Sequence, residues 1–419
     1  MKSNTQDQAE VADLTGIKII DCDSHFTEPA DLWLSRAPES LKGRVPVQRT
    51  VDGYTSWFLD DQIFGGIGGN TVSVGREKVR GLNVIQPWEM IDPSAWSVKE
   101  RLEILDEMGI YAQVLYPNAV GFSSNHIFAI EDPAQRTAVL EMYNDFYVDI
   151  QAESNGRLFP QAILPIWDMD LTIKEMTRLL DKGMSGFTLS DKPELLGLPE
   201  LPEPYFEPMW DLFNESGAVV NFHIGSGARK EDKERNRARV QPKPGAAPPP
   251  KASPGTLEPC WSYFGAQRFM ATNGVQLYAS NMRIIANMCM SNLFDRYPNL
   301  KVVSAESGIG WVPFLLEALE YQYDEMLTEP DALNYAKRRP REYFNDHFFV
   351  TFWFETSAPK KLLEDIGVNN VLVETDLPHP TCLYPNTSQR LAEKLAGVDP
   401  LHVRRVLQDN AAALYHVEV

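Results

Sequence analysis

The residues best suited to chemistry in this sequence come in short clusters, the first lying within IIDCDSHFTEPADLW, residues 19–33. An apolar run from Ile17 to Ile20 leads there into Asp21, Asp23 and His25. Side chains on a strand alternate with period two, so these three are expected on one side. Two carboxylates and an imidazole converging where a strand meets a loop suit a divalent metal or a proton-transfer site. They equally suit a helix-capping turn, because Asp and Ser favour such positions. The same motif recurs further along. AVVNFH (218–223) ends on His223, LKVVSAE (300–306) on Glu306, and NVLVETD (370–376) on Asp376, with His379 three residues later. Chance alone would scatter seven histidines more widely.

The elements that must position these groups follow a regular rhythm. Val98 to Met108 has the pattern of an amphipathic helix closed by Gly109, and Ala112 to Tyr116 is a short apolar strand. Helix patterns over 132–154, 171–182 and 204–216 alternate with strand patterns over 159–166, 186–189 and 218–223. Strands at 300–306, 348–354 and 370–376 are interleaved with helices at 311–327 and 359–366, and a helical pair over 388–396 and 400–415 follows. Eight strands each followed by a helix predict an α/β fold, a (β/α)8 TIM-type barrel, whose catalytic groups gather at the C-terminal ends of the strands. Residues 1–16 read as a polar tail and 17–419 as one barrel domain. Two insertions interrupt it. Residues 43–97 form a hairpin and loop after strand one, signalled by Asp52-Gly53 and expected over the barrel mouth. Residues 228–258, a flexible Pro- and charge-rich stretch, form a long loop after strand five. The glycine run Gly65 to Gly69 is followed by neither a helix pattern nor GK[ST], so a phosphate loop is not expected.

Composition narrows the function class. With 419 residues, 43% of them hydrophobic and 11% aromatic, the chain can bury a large core. A formal charge of −19 argues against nucleic-acid or anionic-membrane partners, which favour basic surfaces. The N-terminus lacks the apolar core of a signal peptide, and no segment has the length of a transmembrane helix. Cys22, Cys260, Cys289 and Cys382 form no CxxC pair, so they read as reduced thiols in a cytoplasmic protein.

DCDSHFTEPADLW, FHIG around His223, SAESGIGWVPF around Glu306, ETDLPHP around Asp376 and the NAAALY ending occur in an order that resembles the amidohydrolase superfamily. The similarity is to the branch with aminocarboxymuconate-semialdehyde decarboxylase and the resorcylate-type decarboxylases. The resemblance implies one divalent ion, Zn²⁺ or Mn²⁺, held by Asp23, His25, His223 and Asp376. It further implies a small carboxylated substrate, aromatic or unsaturated, that loses CO₂ without oxidation, and a homodimer or homotetramer. Two departures stand out. Asp23 replaces a frequent histidine, which enriches the site in oxygen and shifts preference toward Mn²⁺. Glu306 stands where the decarboxylases generally present an acid–base histidine. Asp376, Glu306 and His223 are thus the expected catalytic residues, and His379, Trp167 and His126 the expected substrate contacts. Hydrolysis of an amide, ester, lactone or carbon–carbon bond by metal-activated water is the rival reaction, and a barrel that only binds a ligand the third reading. Asp21 is expected to support the site; His347, His402 and His416 read as structural or exposed.

Overall fold

The structure, a computed structural model, describes residues 11–51, 53–227, 261 and 263–419. The stretch expected to be flexible at 228–258, the first ten residues of the expected tail, Cys260 and Asp52 of the expected turn lie outside them.

Eight short parallel strands carry the fold: β1 (Ile20–His25), β2 (Ala112–Tyr116), β3 (Leu158–Pro160, resuming after Gln161 as Ala162–Ile163), β4 (Gly186–Thr188), β5 (Val219–His223), β6 (Lys301–Ala305), β7 (Phe348–Phe352) and β8 (Val371–Val373). They pair in chain order from β1 to β8. The ring closes just beyond β8. There the His25 N–H donates to the Leu377 carbonyl at 2.7 Å, and the Asp376 N–H donates to the Asp23 carbonyl at 2.8 Å. This is the expected (β/α)8 barrel. Its strands read as near-continuous apolar runs because a parallel sheet is buried on both faces.

Ile20, Ala112, Val219, Val303 and Leu372 pack together inside the ring. Their sequence neighbours, such as Val220, Val302 and Val371, pack outward against the helices. The C-terminal helix Asn410–Tyr415 plugs the end where the strands start: Ala411, Leu414 and Tyr415 join the inner cluster. The Tyr415 and Tyr116 hydroxyls both donate to Asn221 Oδ1, at 2.8 and 2.9 Å. The small residues of NAAALY let that helix approach.

Helix boundaries have local causes. Gly109 ends Val98–Met108 at φ 72°, and Asp132 caps Pro133–Glu153 by accepting from the Ala134 and Gln135 N–H groups. Three expectations are corrected. The strand foreseen over 159–166 is broken at Gln161, which turns the chain from β2 toward β4. The helix foreseen over 359–366 is two short pieces meeting at Leu362. A helix, Pro340–His347, precedes β7 where none was foreseen. Its short length hides the helical period.

The insertion after β1 folds into a three-stranded antiparallel meander, Val47–Val51, Tyr54–Leu59 and Gln62–Gly66, followed by a small hairpin, Val72–Ser73 with Glu77–Lys78. It lies against the loop after β8. The Thr71 N–H donates to the Pro378 carbonyl at 2.7 Å, and Lys78 Nζ donates to the Cys382 and Tyr384 carbonyls at 2.7 and 2.6 Å. No helix among the described residues is long and apolar enough to cross a membrane.

β1 also departs from its expected alternation. Its register shifts between Asp21 and Ser24, a bulge of the kind that re-aims side chains near active sites. Asp23 faces the other site residues, whereas Asp21 turns toward the helical layer. There it accepts from Gln113 Nε2 at 2.7 Å, the Thr375 N–H at 2.7 Å and the Thr375 hydroxyl, while Arg101 braces Gln113 from behind.

Candidate metal centre

Four strand ends, those of β1, β5, β6 and β8, meet at one buried point. The His223 Nδ1–H donates to the Ile224 carbonyl at 2.7 Å, which leaves Nε2 as a lone-pair nitrogen. That Nε2 lies 3.2 Å from His25 Nε2, 3.3 Å from Asp23 Oδ2 and 3.4 Å from Glu306 Oε2. His25 Nε2 is 3.6 Å from Asp23 Oδ1 and 3.7 Å from Asp376 Oδ1. Next to it, His379 stacks on the His25 ring with centroids 3.6 Å apart, and its Nδ1 is 3.3 Å from Asp376 Oδ1. Asp23, His25, His223 and Glu306 place ligand atoms close enough to share one ion, as do His25, Asp376 and His379.

The backbone is bent to achieve this. Glu306 and Asp376 both adopt left-handed conformations, at φ 54° and 59°, which cost energy for residues with a side chain. The Glu306 N–H donates to Glu374 Oε2 at 3.0 Å, which holds the bend.

The electrostatics ask for a cation. Burial, followed by the nearby Asp21, raises the Asp23 carboxyl well above its ordinary range. Burial, then Glu306 and Asp23, does the same for Asp376. Glu374 rises through burial and Asp23, and Glu306 is pushed up to about 8 by burial despite the opposing pull of His223. Burial also lowers His25 and His223 and brings His379 to about 3, so all three imidazoles are neutral and able to ligate. All four carboxylate oxygens of Asp23 and Asp376 are buried without a hydrogen-bond donor. Such groups cost several kcal/mol unless a proton or cation satisfies them. The donor set, imidazole nitrogen with carboxylate oxygen, fits Zn²⁺ or Mn²⁺. Arg101, buried behind β1, does not meet this need, since it donates to the carbonyls of Ser94, His25 and Ala95 and to Gln113.

The family model described as amidohydrolase matches residues 20–417. The chain belongs to the amidohydrolase family. Among curated relatives, the gamma-resorcylate decarboxylase of Polaromonas sp. strain JS666 is 24% identical over 307 residues, covering 70% of this chain and 82% of that one. A solved amidohydrolase from Mycobacterium avium subsp. paratuberculosis superposes with a TM-score of 0.66 at 19% identity, over 96% of this chain and 99% of that one. The Polaromonas dihydroxybenzoic acid decarboxylase, solved with manganese and the inhibitor 2-nitroresorcinol, gives 0.57 at 17% identity, over 96% and 97%. At these identities the structural likeness shows the fold.

In this amidohydrolase the expected residues Asp23, His25, His223, Glu306, Asp376 and His379 stand together. Trp167 and His126 stand apart from them. Trp167 packs beside Phe128 and the Arg136 guanidinium, with centroid distances of 5.7 and 5.2 Å. His126 Nδ1 faces the Ala119 carbonyl at 3.0 Å. His347 is structural, stacked on Phe294 at 4.1 Å with Nδ1 on the Leu300 carbonyl. Three residues at the centre went unforeseen. Phe122 lays its ring 4.1 Å from His223, Asn118 bonds His379, and Glu374 sits below Glu306. Period two counted back from Asp376 would have found Glu374; no sequence pattern marks the other two.

Asp21 is a strut rather than a ligand. It also accepts from the Asp23 N–H at 3.2 Å and so ties β1 to β2 and β8. Asp21→Ala leaves buried donors on Gln113 and Thr375 unpaired, and the expected cost is about 3 kcal/mol of stability. Urea denaturation measures it. An unchanged midpoint would show that the strut carries no load.

Proposed function

We propose that this amidohydrolase is a non-oxidative decarboxylase of a small aromatic or unsaturated carboxylic acid, working with one Mn²⁺ or Zn²⁺ held by Asp23, His25, His223 and Asp376. The observation that carries this reading is the convergence of unpaired buried carboxylate oxygens on the Nε2 atoms of His25 and His223. The names of the curated relatives support the reaction type. When bound there, the ion would supply Lewis acidity and help to orient the substrate's carboxylate.

The chain's own residues do the rest. Phe122, tilted 33° to the His223 ring, offers an apolar face for a flat substrate. Glu306 is the carboxyl on the open side: its side chain keeps 14% exposure, while those of Asp23 and Asp376 have none. As the bond to the carboxylate breaks, its electron pair stays on the substrate carbon, Glu306 gives that carbon a proton, and water later restores it. His379 contacts the substrate at the mouth, with Trp167 and His126 farther out. We place the enzyme in the cytoplasm as a homodimer or homotetramer, with residues 17–419 as one domain.

A hydrolytic reading uses the same residues, with Glu306 or Asp376 as base for a water, and the replacement of histidine by Glu306 favours it. Incubation of the Mn²⁺-loaded protein in H₂¹⁸O with hydroxybenzoates and, in parallel, with aryl esters, amides and lactones separates the two. CO₂ release with no label in the organic product is expected; labelled product without CO₂ overturns decarboxylation.

A further inference from the structure

The glycine run Gly65–Gly69 matches no phosphate loop, and the metal centre leaves it without a task. Its surroundings supply one. Glu28, from the opening motif, is buried and its Oε1 accepts from the Asn118 and Ala119 N–H groups at 2.9 Å each and from the Tyr143 hydroxyl at 2.7 Å. This fixes the loop after β2. Asn118 Nδ2 donates to the Phe26 carbonyl at 3.3 Å, which turns Oδ1 toward His379 Nε2, 2.7 Å away. His379 is thereby pressed flat on His25. The bare main chain of Gly68 packs over the Asn118–His379 hydrogen bond. A Cβ at Gly68 would lie 3.2 Å from Asn118 Oδ1 and 3.3 Å from His379 Nε2, on a backbone with φ 78°. One at Gly69 would lie 2.9 Å from Pro380 Cγ. Gly66 differs, since a Cβ there would meet nothing closer than the Gly68 nitrogen at 3.8 Å. Gly68 is exposed and His379 is 8% exposed, so their contact lies at the solvent-facing edge of the centre.

We infer that Gly68 is a specificity-determining residue: its missing side chain sets the width of the cleft beside His379 and admits a planar ring to the centre. The four-residue chain Glu28–Asn118–His379–His25 makes that wall rigid, so an added methyl group cannot be absorbed by a shift of one side chain. The inference deepens the proposed function by naming what selects the substrate's shape, and it rests on that reading only for the ring.

The test uses Mn²⁺-loaded full-length protein and measures binding of formate, benzoate and 2-nitroresorcinol through water-proton relaxation by the bound Mn²⁺. Gly68→Ala is expected to keep its Mn²⁺ and to bind benzoate and 2-nitroresorcinol about tenfold more weakly, with formate changed less than about twofold. Gly66→Ala should bind all three like wild type. In an Asn118→Ala background the Gly68→Ala penalty should shrink, because the methyl group then has room; this double variant also serves if Gly68→Ala alone does not fold. Equal loss for formate and benzoate, or no loss for either, overturns the inference, and so does a wild-type protein that binds none of the anions. Size-selective loss in a protein that releases no CO₂ from any hydroxybenzoate leaves the cleft assignment standing and removes the decarboxylase reading instead.

Discussion

His223→Ala should give a folded protein that holds almost no metal. His223 Nε2 lies within 3.4 Å of His25, Asp23 and Glu306 together, so its loss removes a point around which the other ligands are arranged. Metal content is expected to fall from about one ion per chain to under about a tenth, because a ligand lost from a preformed site cannot be replaced by a neighbour locked in position. Turnover should fall at least about a thousandfold with it, since every later step presumes the oriented substrate. Elemental analysis after dialysis decides the point, with circular dichroism as the check on folding. A variant that retains stoichiometric metal would falsify the ligand assignment.

Glu306→Gln addresses the residue that most separates this chain from the pattern it resembles. The amide keeps the size and the bent backbone but carries no transferable proton. A fall in kcat of about 10²–10⁴ with metal content unchanged is expected for a lost general acid. An acid must be protonated to act, so activity that depends on Glu306 declines as pH rises through its midpoint. That alkaline limb of the rate profile should disappear in the variant. Loss of the metal instead would make Glu306 a fifth ligand, which its 3.4 Å approach to His223 Nε2 allows sterically.

The large outlines of this fold were legible because each rests on a local rule. Gly109, Asp132 and the apolar run of β2 each mark the boundary of their own element, and the structure places those elements where the pattern did. Asp23, His25, His223 and Asp376 were legible for a different reason: each lies at or just beyond the C-terminal end of a strand, and a barrel puts all these ends on one face. The supporting role of Asp21 was legible but the side it faces was not, because a bulge is an irregularity in a two-residue period and nothing in DCDSH records where the extra residue sits. Asn118 and Phe122 were invisible because they lie in an irregular loop, whose course depends on Glu28 some ninety residues earlier rather than on its own composition. Trp167 and His126 show the converse. Residue type and nearness to a strand end do not set distance from the centre, which here follows from packing against Phe128, Arg136 and the Ala119 carbonyl.

The closure of the barrel between β1 and the segment after β8 has a consequence for how the protein is made. Asp21 and Thr375, which bond across it, are 354 residues apart in the chain. Two of the proposed metal ligands come from the first strand and one from beyond the last. While the ribosome is still extending the chain, the amino-terminal strand can find β2 but not its other neighbour, so its carboxylates wait without their partners. Such long-range pairing is slow, and the intermediate leaves an open strand edge. Metal captured when the last strand arrives would therefore act as a latch on a completed molecule. A nascent chain arrested before Asp376 should then accept no ion that survives dialysis.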